Sequence, residues 1–447
     1  MYKLNSILFS LLLIISSCSK EDPISTQQSG IPSKPKNLIL KYQDSILNLN
    51  WETPDNTGSP IIEKYLIYRK TGNGNYENIG FTIFNTTSFK DTSVLIFNTY
   101  NYYVTAINTD GESERSNEIA ATPYPIGVNS SVKTISINGN EVYVGGNFTS
   151  AGGKTANRIA KWNGISWSAL GTGLNGEVKS IVNKGNEIYA GGNFSLAGGI
   201  SVSNIAKWDG VSWSALGLGL SGEVNSIVIK ENEIYVAGNF SAAGGNTAFR
   251  IAKWNGTSWS ALGNGLNDRV NSLVSIGNDI YAGGNFTSAG GITANYIAKW
   301  NGVNWSALGN GLNREVFSLA ISGNDIYAGG VFSSAGNIAV NRIAKWNGTS
   351  WSALGNGVNN NVYSIDVDEN NNVYVGGIFT IAGDISASGI AKWNGVSWSV
   401  IGSGLSNTIL SILFNENEIY SGGFFTIEGG LIARNIAKWN GNEWIGF

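Results

Sequence analysis

The chain contains no histidine and a single cysteine in 447 residues. The first absence removes Ser-His-Asp and Cys-His nucleophile systems and every His-ligated metal site. The second removes disulfides within the chain and Cys-x-x-Cys chemistry. Excess charge is also scarce: the net value of −3 gives no electrostatic reason to expect nucleic acid as a partner. The apolar run from Ile7 to Ile15 is too short for a stable membrane-spanning helix and long enough for the core of a signal peptide. Helical periodicity is missing as well, since no run in the repeated part of the chain shows apolar residues at a 3.6-residue spacing.

What is present is a repeat. The stretch from Val178 to Glu223 recurs seven times, starting at Val132, Val178, Val224, Val270, Val316, Val362 and Ile409. The first six starts are 46 residues apart, and the last step is 47 because the turn after Asp366 is one residue longer. A period this regular marks a repeat architecture. Each copy holds four short runs rich in Val, Ile, Tyr, Trp and Phe, here VKSIVN, EIYAGGNF, SNIAKW and SWSALG, bounded by Gly, Asn and Ser. That composition suits strands between turns. Asn-Gly or Asp-Gly joins the third run to the fourth in each copy, as at Asn163-Gly164 and Asp209-Gly210, and predicts a two-residue hairpin turn. Each copy is therefore expected to be a four-stranded antiparallel meander, and seven in series suit a seven-bladed β-propeller. Fourteen of the fifteen tryptophans form pairs five residues apart, one pair per copy, from Trp162/Trp167 to Trp439/Trp444. Identical recurrence favours packing between blades over sugar stacking for these rings.

At the amino terminus, Ile15-Ser16-Ser17-Cys18 follows the apolar run and resembles a bacterial lipobox. The resemblance implies a lipoprotein signal peptide over 1–17, cleavage before Cys18, and acylation of Cys18 as a membrane anchor. Ser19-Lys20-Glu21-Asp22 resembles the short acidic signal that carries Bacteroidota lipoproteins to the outer face of the outer membrane. An outer-membrane lipoprotein is the expectation, with periplasmic or cell-surface orientation left open. Residues 18–30 read as the lipidated cysteine and a flexible polar tether.

Residues 31–123 form a different all-β domain. Leu47-Asn48-Leu49-Asn50-Trp51 alternates as a half-buried strand with Trp51 inward, and Tyr100, Tyr102, Val104 and Ala106 share one face of another. Pro35 and Leu38, LNLNW, EKYLIYRK, NTYNYYVTAIN, Gly111-Glu112-Ser113 and Ser116-Asn117 together resemble a fibronectin type III β-sandwich. The resemblance places Tyr100 at the tyrosine-corner position, with its hydroxyl bonded to backbone upstream. No Arg-Gly-Asp occurs here, so integrin-type adhesion has no support, and a spacer role is expected.

The repeats over 124–447 resemble kelch-like and galactose-oxidase-type propellers through IYAGG and the paired aromatics. They are more similar still to the GGNFTSAGG…IAKWNG…W…LGxGL repeats of bacterial surface proteins and a fungal cortical polarity marker. The copper ligands of the oxidases have no counterparts, and no cofactor or metal is expected. Chain entry at Tyr124 to Ser131 and Phe447 in the place of Leu216 predict that repeat and blade coincide, with no strand borrowed to close the ring.

Three sets of residues are candidates for chemistry. A lysine in each third strand (Lys161, Lys207, Lys253, Lys299, Lys345, Lys392, Lys438) lies across from an acid opening the second strand in six copies, while the sixth copy has Asn372. These are expected to be structural pairs. Asp366, Asp368, Asn370 and Asn372 alternate oxygen ligands and suggest Ca²⁺, but without a glycine at the bend or a closing Glu they read better as a polar turn. The third set varies between copies. Arg158, Arg250, Tyr296, Arg342 and Arg434 stand near the start of third strands, and Asp268, Arg269 and Arg314 stand between blades. The second residue of the first strand reads Lys133, Lys179, Asn225, Asn271, Phe317, Tyr363 and Leu410 around the ring. With the first strand innermost, that position sets one basic and one aromatic sector at the mouth, which suits glycan recognition by hydrogen bonding and stacking. The expected ligand-binding set is Phe317, Tyr363, Lys133, Lys179, Arg158, Arg250, Tyr296, Arg314 and Arg342. The expected function is a monomeric, lipid-anchored binding protein for glycan or another surface protein. A structural subunit of an envelope assembly is the alternative, and a polysaccharide-processing enzyme finds no unique carboxylate pair.

Overall fold

The computed structural model describes residues 30–43, 46–95, 98–123, 127–402, 405–427 and 434–447, and its regular elements are all strands. Residues 1–29, which include Cys18 and the segments expected to be a signal peptide and most of a tether, lie outside the described residues. The chain divides between Pro123 and Tyr124 into two units.

In the first unit, Lys36–Gln43, Ile46–Glu52 and Ser88–Asp91 form one antiparallel sheet. Glu77–Ile83, Lys64–Thr71, Tyr100–Asn108 and Gly111–Glu112 form a second, with Ile119–Ala121 also paired to Tyr100–Asn108. Alternation does what the sequence predicts: Leu47, Leu49 and Trp51 face inward and meet Tyr65, Ile67, Tyr102, Val104 and Ala106 in one core. The Tyr100 hydroxyl accepts a hydrogen bond from the backbone N–H of Leu95 at 2.8 Å, five residues upstream, as the tyrosine-corner position implies.

Among its described residues the second unit holds seven four-stranded antiparallel sheets, each drawn from a single repeat. Blade one is Val132–Asn138, Glu141–Gly146, Ile159–Trp162 and Trp167–Ala169, in that spatial order. The last is Leu405–Asn415, Glu418–Ile427, Arg434–Trp439 and Trp444–Ile445. First strands touch first strands around a closed circle, the one starting at Leu405 meeting the one starting at Val132. Among the described residues no strand is shared between blades. The seam is sealed by Phe447, whose ring stacks on Trp167 at 5.6 Å and 6°, and by Asn435 Nδ2, which donates to the Val128 carbonyl at 2.9 Å.

The core lies between blades. Tyr143 and Ile159 of blade one pack with Val178, Ile181, Phe194 and Trp213 of blade two, and this arrangement recurs around the ring. The second tryptophan of each pair is a packing residue. Trp213 Nε1 donates to the Leu170 carbonyl of the preceding blade at 2.9 Å, and Trp259, Trp305, Trp351, Trp398 and Trp444 repeat the bond. Burying an indole costs little once its N–H has such an acceptor. The first tryptophan varies: Trp208, Trp254, Trp346, Trp393 and Trp439 are only half-buried, while Trp162 and Trp300 are buried.

Two local expectations need correction. Asn-Gly is not the central pair of the hairpin turn: Trp162 pairs directly with Trp167, and the Asn163 N–H bonds the Ser166 carbonyl at 3.3 Å, which leaves Gly164 and Ile165 at the centre. Asn163 keeps negative φ, and its Oδ1 accepts the N–H groups of Ile165 and Ser166 at 2.9 and 2.8 Å. An Asn side chain that caps its own turn in this way competes with the positive-φ conformation assumed from the dipeptide. The segment between second and third strands is also more ordered than a loop. In blades one to six it carries a two-stranded hairpin such as Ser150–Ala151 with Lys154–Thr155, turned at Gly152 and Gly153 with φ of 56° and 77°.

The lysine pairs form as expected. Lys161, Lys207, Lys253, Lys299, Lys345 and Lys438 lie 2.6–2.8 Å from Glu141, Glu187, Glu233, Asp279, Asp325 and Glu418 respectively. In blade six, which has Asn372 instead, Lys392 sits over the Tyr374 ring at 5.4 Å. The Asp368 turn is occupied by the protein itself: Oδ1 accepts the N–H groups of Asn370 and Asn372, and Oδ2 accepts Asn372 Nδ2 and the Tyr374 hydroxyl. Asp366 turns toward blade seven and accepts the Phe414 N–H at 2.7 Å. With those lone pairs committed, adding calcium chloride should leave the thermal midpoint unmoved, and a rise would restore the metal reading.

Candidate functional site

Each first strand carries a β-bulge at its second residue. In blade two, Val178 pairs with Gly192 and Ser180 with Gly191, so Lys179 is the extra residue; the same shift occurs in all seven blades. A bulge leaves its extra residue out of the ladder and re-aims the side chain. The bulge exists because a glycine lets the backbone approach: a Cβ on Gly192 would stand 1.9 Å from the Glu177 carbonyl oxygen. That glycine is Gly146, Gly192, Gly238, Gly284, Gly330, Gly377 or Gly423 in the seven copies. One residue further along, a serine locks neighbouring blades, as where Ser180 Oγ accepts the Ile227 N–H at 3.0 Å and Ser318 Oγ the Ile365 N–H at 3.1 Å.

The bulge residues therefore ring the central mouth, and those of blades one to five touch the next blade. Phe317 and Tyr363 meet with centroids 5.2 Å apart at 45°, and both are half-buried. On the other side, Lys133 lies 3.7 Å from Glu177, while Lys179 lies 3.5 Å from Glu177 and bonds Glu223. Asn225 donates to the Val270 carbonyl, and Asn271 to Glu315 and the Val316 carbonyl. Arg269 completes the set with a 2.7 Å bridge to Glu315. The sector expected to be basic is thus not a free positive patch, because Glu177, Glu223 and Glu315 answer its cations. The signal was legible: a glutamate directly precedes the first strand of blades two, three and five.

Arg158, Arg250, Tyr296 and Arg342 occupy a backbone position that is left-handed in every blade, with φ of 66°, 65°, 67° and 64°; Asn204, Gly389 and Asn435 fill it elsewhere. Two backbone bonds hold blade one's copy there, from Arg158 N–H to the Phe148 carbonyl and from Gly146 N–H to the Arg158 carbonyl. A bulky residue in this region costs about 1–2 kcal/mol, so these bonds over-determine it. The guanidinium groups turn to main chain: Arg158 to the Asn147 carbonyl, Arg250 to Phe240 at 2.9 Å and Arg342 to Phe332 at 3.2 Å. Tyr296 packs against the core between blades four and five. These four residues are placed as backbone props, apart from the aromatic pair. Arg314 is different. It is exposed, three residues before Phe317, and no hydrogen bond or ion pair holds it among the described residues.

Comparison with known proteins agrees with this architecture. Residues 33–122 match the fibronectin type III domain, and residues 160–318 match the Rax2 C-terminal beta propeller domain. Among solved structures, domains A168-A170 of titin share 19% identity over 21% of this chain, with a TM-score of 0.19, and the chain spans only 32% of that fragment. A Fn3-like protein from Clostridium thermocellum shares 25% identity over 21% of this chain and 94% of its own, with a TM-score of 0.18. The FN5 domain of Drosophila Lar shares 21% identity over 21% and 97%, also with a TM-score of 0.18. No curated protein matches the chain.

Proposed function

We propose that this is an extracytoplasmic binding protein, anchored by acylated Cys18 in the outer membrane, whose propeller mouth recognises a glycan. The two domain matches fit a binding or adhesion role. The observation that carries the glycan reading is the Phe317–Tyr363 pair, two rings presented by adjacent bulges at the mouth. Tilted, half-exposed rings offer the stacking surface that the apolar face of a sugar needs. Exposed Arg314 and the Lys133 and Lys179 pairs supply hydrogen-bond donors around it. A binding rather than catalytic role is supported by the carboxylates at the mouth, each of which is engaged by a cation or amide.

The test is a glycan array probed with the chain from Ser19 to Phe447 and with a Phe317→Ala/Tyr363→Ala variant. The native chain should bind, and the variant should lose about tenfold or more in affinity, equivalent to about 1.4 kcal/mol. Binding that survives in the variant moves recognition away from the mouth. Absence of any glycan ligand favours a surface protein as partner, to be sought by cross-linking on intact cells.

A further inference from the structure

On the opposite face of the ring from the bulges, blades one and two are separated by a cavity of about 390 Å³. Its walls include the half-buried Trp208 ring, Tyr143, the Lys161–Glu141 pair and the backbone at Asp209-Gly210, with Asn138, Ser168 and Asn186 at its rim. We infer that this inter-blade cleft is a second ligand site, independent of the mouth, that takes a neutral sugar unit.

The chemistry of the walls supports that class. The indole of Trp208 is the one large aromatic surface that blade packing leaves partly open here, whereas Trp213 behind it is buried and bonded. A sugar presents a C–H face to such a ring and hydroxyls at its edge. Those hydroxyls meet polar groups held in place: Glu141 is fixed by Lys161 at 2.6 Å and by the Tyr143 hydroxyl at 2.6 Å. Each carboxylate oxygen keeps a further acceptor site, and the ammonium keeps donors beyond the one it spends. The Lys161 and Glu141 charges cancel, and Asp209 adds a carboxylate at the rim already committed to the N–H groups of Val211 and Ser212. An anionic ligand gains no unpaired cation there.

The rim of this cleft differs from the corresponding rims of other blades, and the residue at the position of Asn138 is one reason. At the position of Asn138, blades two and three carry Lys184 and Lys230, blade four Ile276 and blade six Asp368; blade seven repeats the asparagine as Asn415, but there the ring equivalent to Trp208 is Trp162, which is buried and lies 5.7 Å from Phe447. Lys184 Nζ stretches to the Asn232 carbonyl of the next blade at 3.3 Å and so spans the corresponding rim. In blade five, Ser322 occupies this place and bonds Asn371 of blade six. Asn138 is short, and its amide is tied to the Gly185 carbonyl at 2.8 Å, which leaves the rim open. One site per ring is therefore expected from this feature, not seven.

The experiment titrates the full chain, in a detergent without a sugar headgroup, with the methyl glycosides of glucose, galactose, mannose and N-acetylglucosamine, by calorimetry. At least one should bind with one-to-one stoichiometry at this cleft and Kd on the order of 1 mM. Asn138→Lys copies a side chain that blades two and three already accommodate, so it should keep the native melting temperature while weakening that binding at least tenfold. Trp208→Phe, which keeps an aromatic filler, should weaken it less. Phe317→Ala/Tyr363→Ala should leave it unchanged, which separates this site from the mouth. The inference is overturned if none of the four glycosides binds, if Asn138→Lys leaves the affinity intact, or if binding disappears only with the mouth variant.

Discussion

Gly330→Ala should destabilise the propeller by about 3 kcal/mol, toward the upper end of the range for overpacking. A Cβ at this position would stand 2.1 Å from the Glu315 carbonyl oxygen and 3.0 Å from the Val316 Cα, so the obstacle is main chain and not the end of a mobile side chain. Relief requires the segment that forms the bulge to move, and that segment carries Phe317. Chemical denaturation should report the loss of stability, and any glycan affinity at the mouth should fall even though both rings are still present. The neighbouring Gly329→Ala is the informative contrast. Its Cβ would meet Val362 Cγ1 at 2.5 Å, a side-chain contact, and blade three already carries Ala237 at the equivalent place. A Gly330→Ala protein as stable as Gly329→Ala would show that the backbone approach is not what holds the bulge.

Arg69→Ala should cost the fibronectin unit about 3 kcal/mol or more, because it strands a buried charge. Asp91 is 3% exposed and lies 2.7 Å from Arg69 Nη1. It also accepts the Tyr102 hydroxyl at 2.9 Å and both the N–H and hydroxyl of Ser93. Burial by itself would push this carboxyl up; the bonds from Ser93, Arg69 and Tyr102 outweigh it and hold the group below its ordinary value of 3.8. A carboxyl depressed in the folded state contributes stability above its unfolded pKa and loses it as pH falls through the folded value. In the native chain that loss falls below about pH 4. Without Arg69 the burial penalty is no longer offset, so the deficit should be largest at neutral pH and shrink as the pH falls through the depressed native value, below which Asp91 is protonated in either protein. Urea titrations at pH 7 and at successively lower pH follow the change. An equal deficit at every pH would mean that Arg69 acts through packing on Tyr100, over whose ring it sits at 5.1 Å, and not through charge.

The candidate site was readable in sequence to an uneven degree. Phe317 and Tyr363 stood out because they break a column otherwise filled by Lys, Asn and Leu, and adjacent blades bring them together. The lysines of that column misled as a free patch. Their partners come from the residue before the next blade's first strand, a contact spanning 44 residues for Lys133–Glu177 and Lys179–Glu223. Arg158, Arg250 and Arg342 misled for a backbone reason. Variation at a left-handed position looks like variation at a binding loop, and only φ shows that Asn204, Gly389 and Asn435 are its conformational equivalents.

By itself the sequence determined the all-β class, the count of seven blades, the fibronectin sandwich and the lysine–acid pairs. All of these depend on short-range alternation or on a repeat period, which strand geometry converts directly into structure. Tertiary structure alone decided in which blades the first tryptophan of the pair stays half-buried, where the charges of the mouth are neutralised, and that a cleft opens between blades one and two. Those outcomes depend on contacts between side chains a whole repeat apart, whose distances are set by how neighbouring blades twist and pack, a quantity that no single repeat encodes.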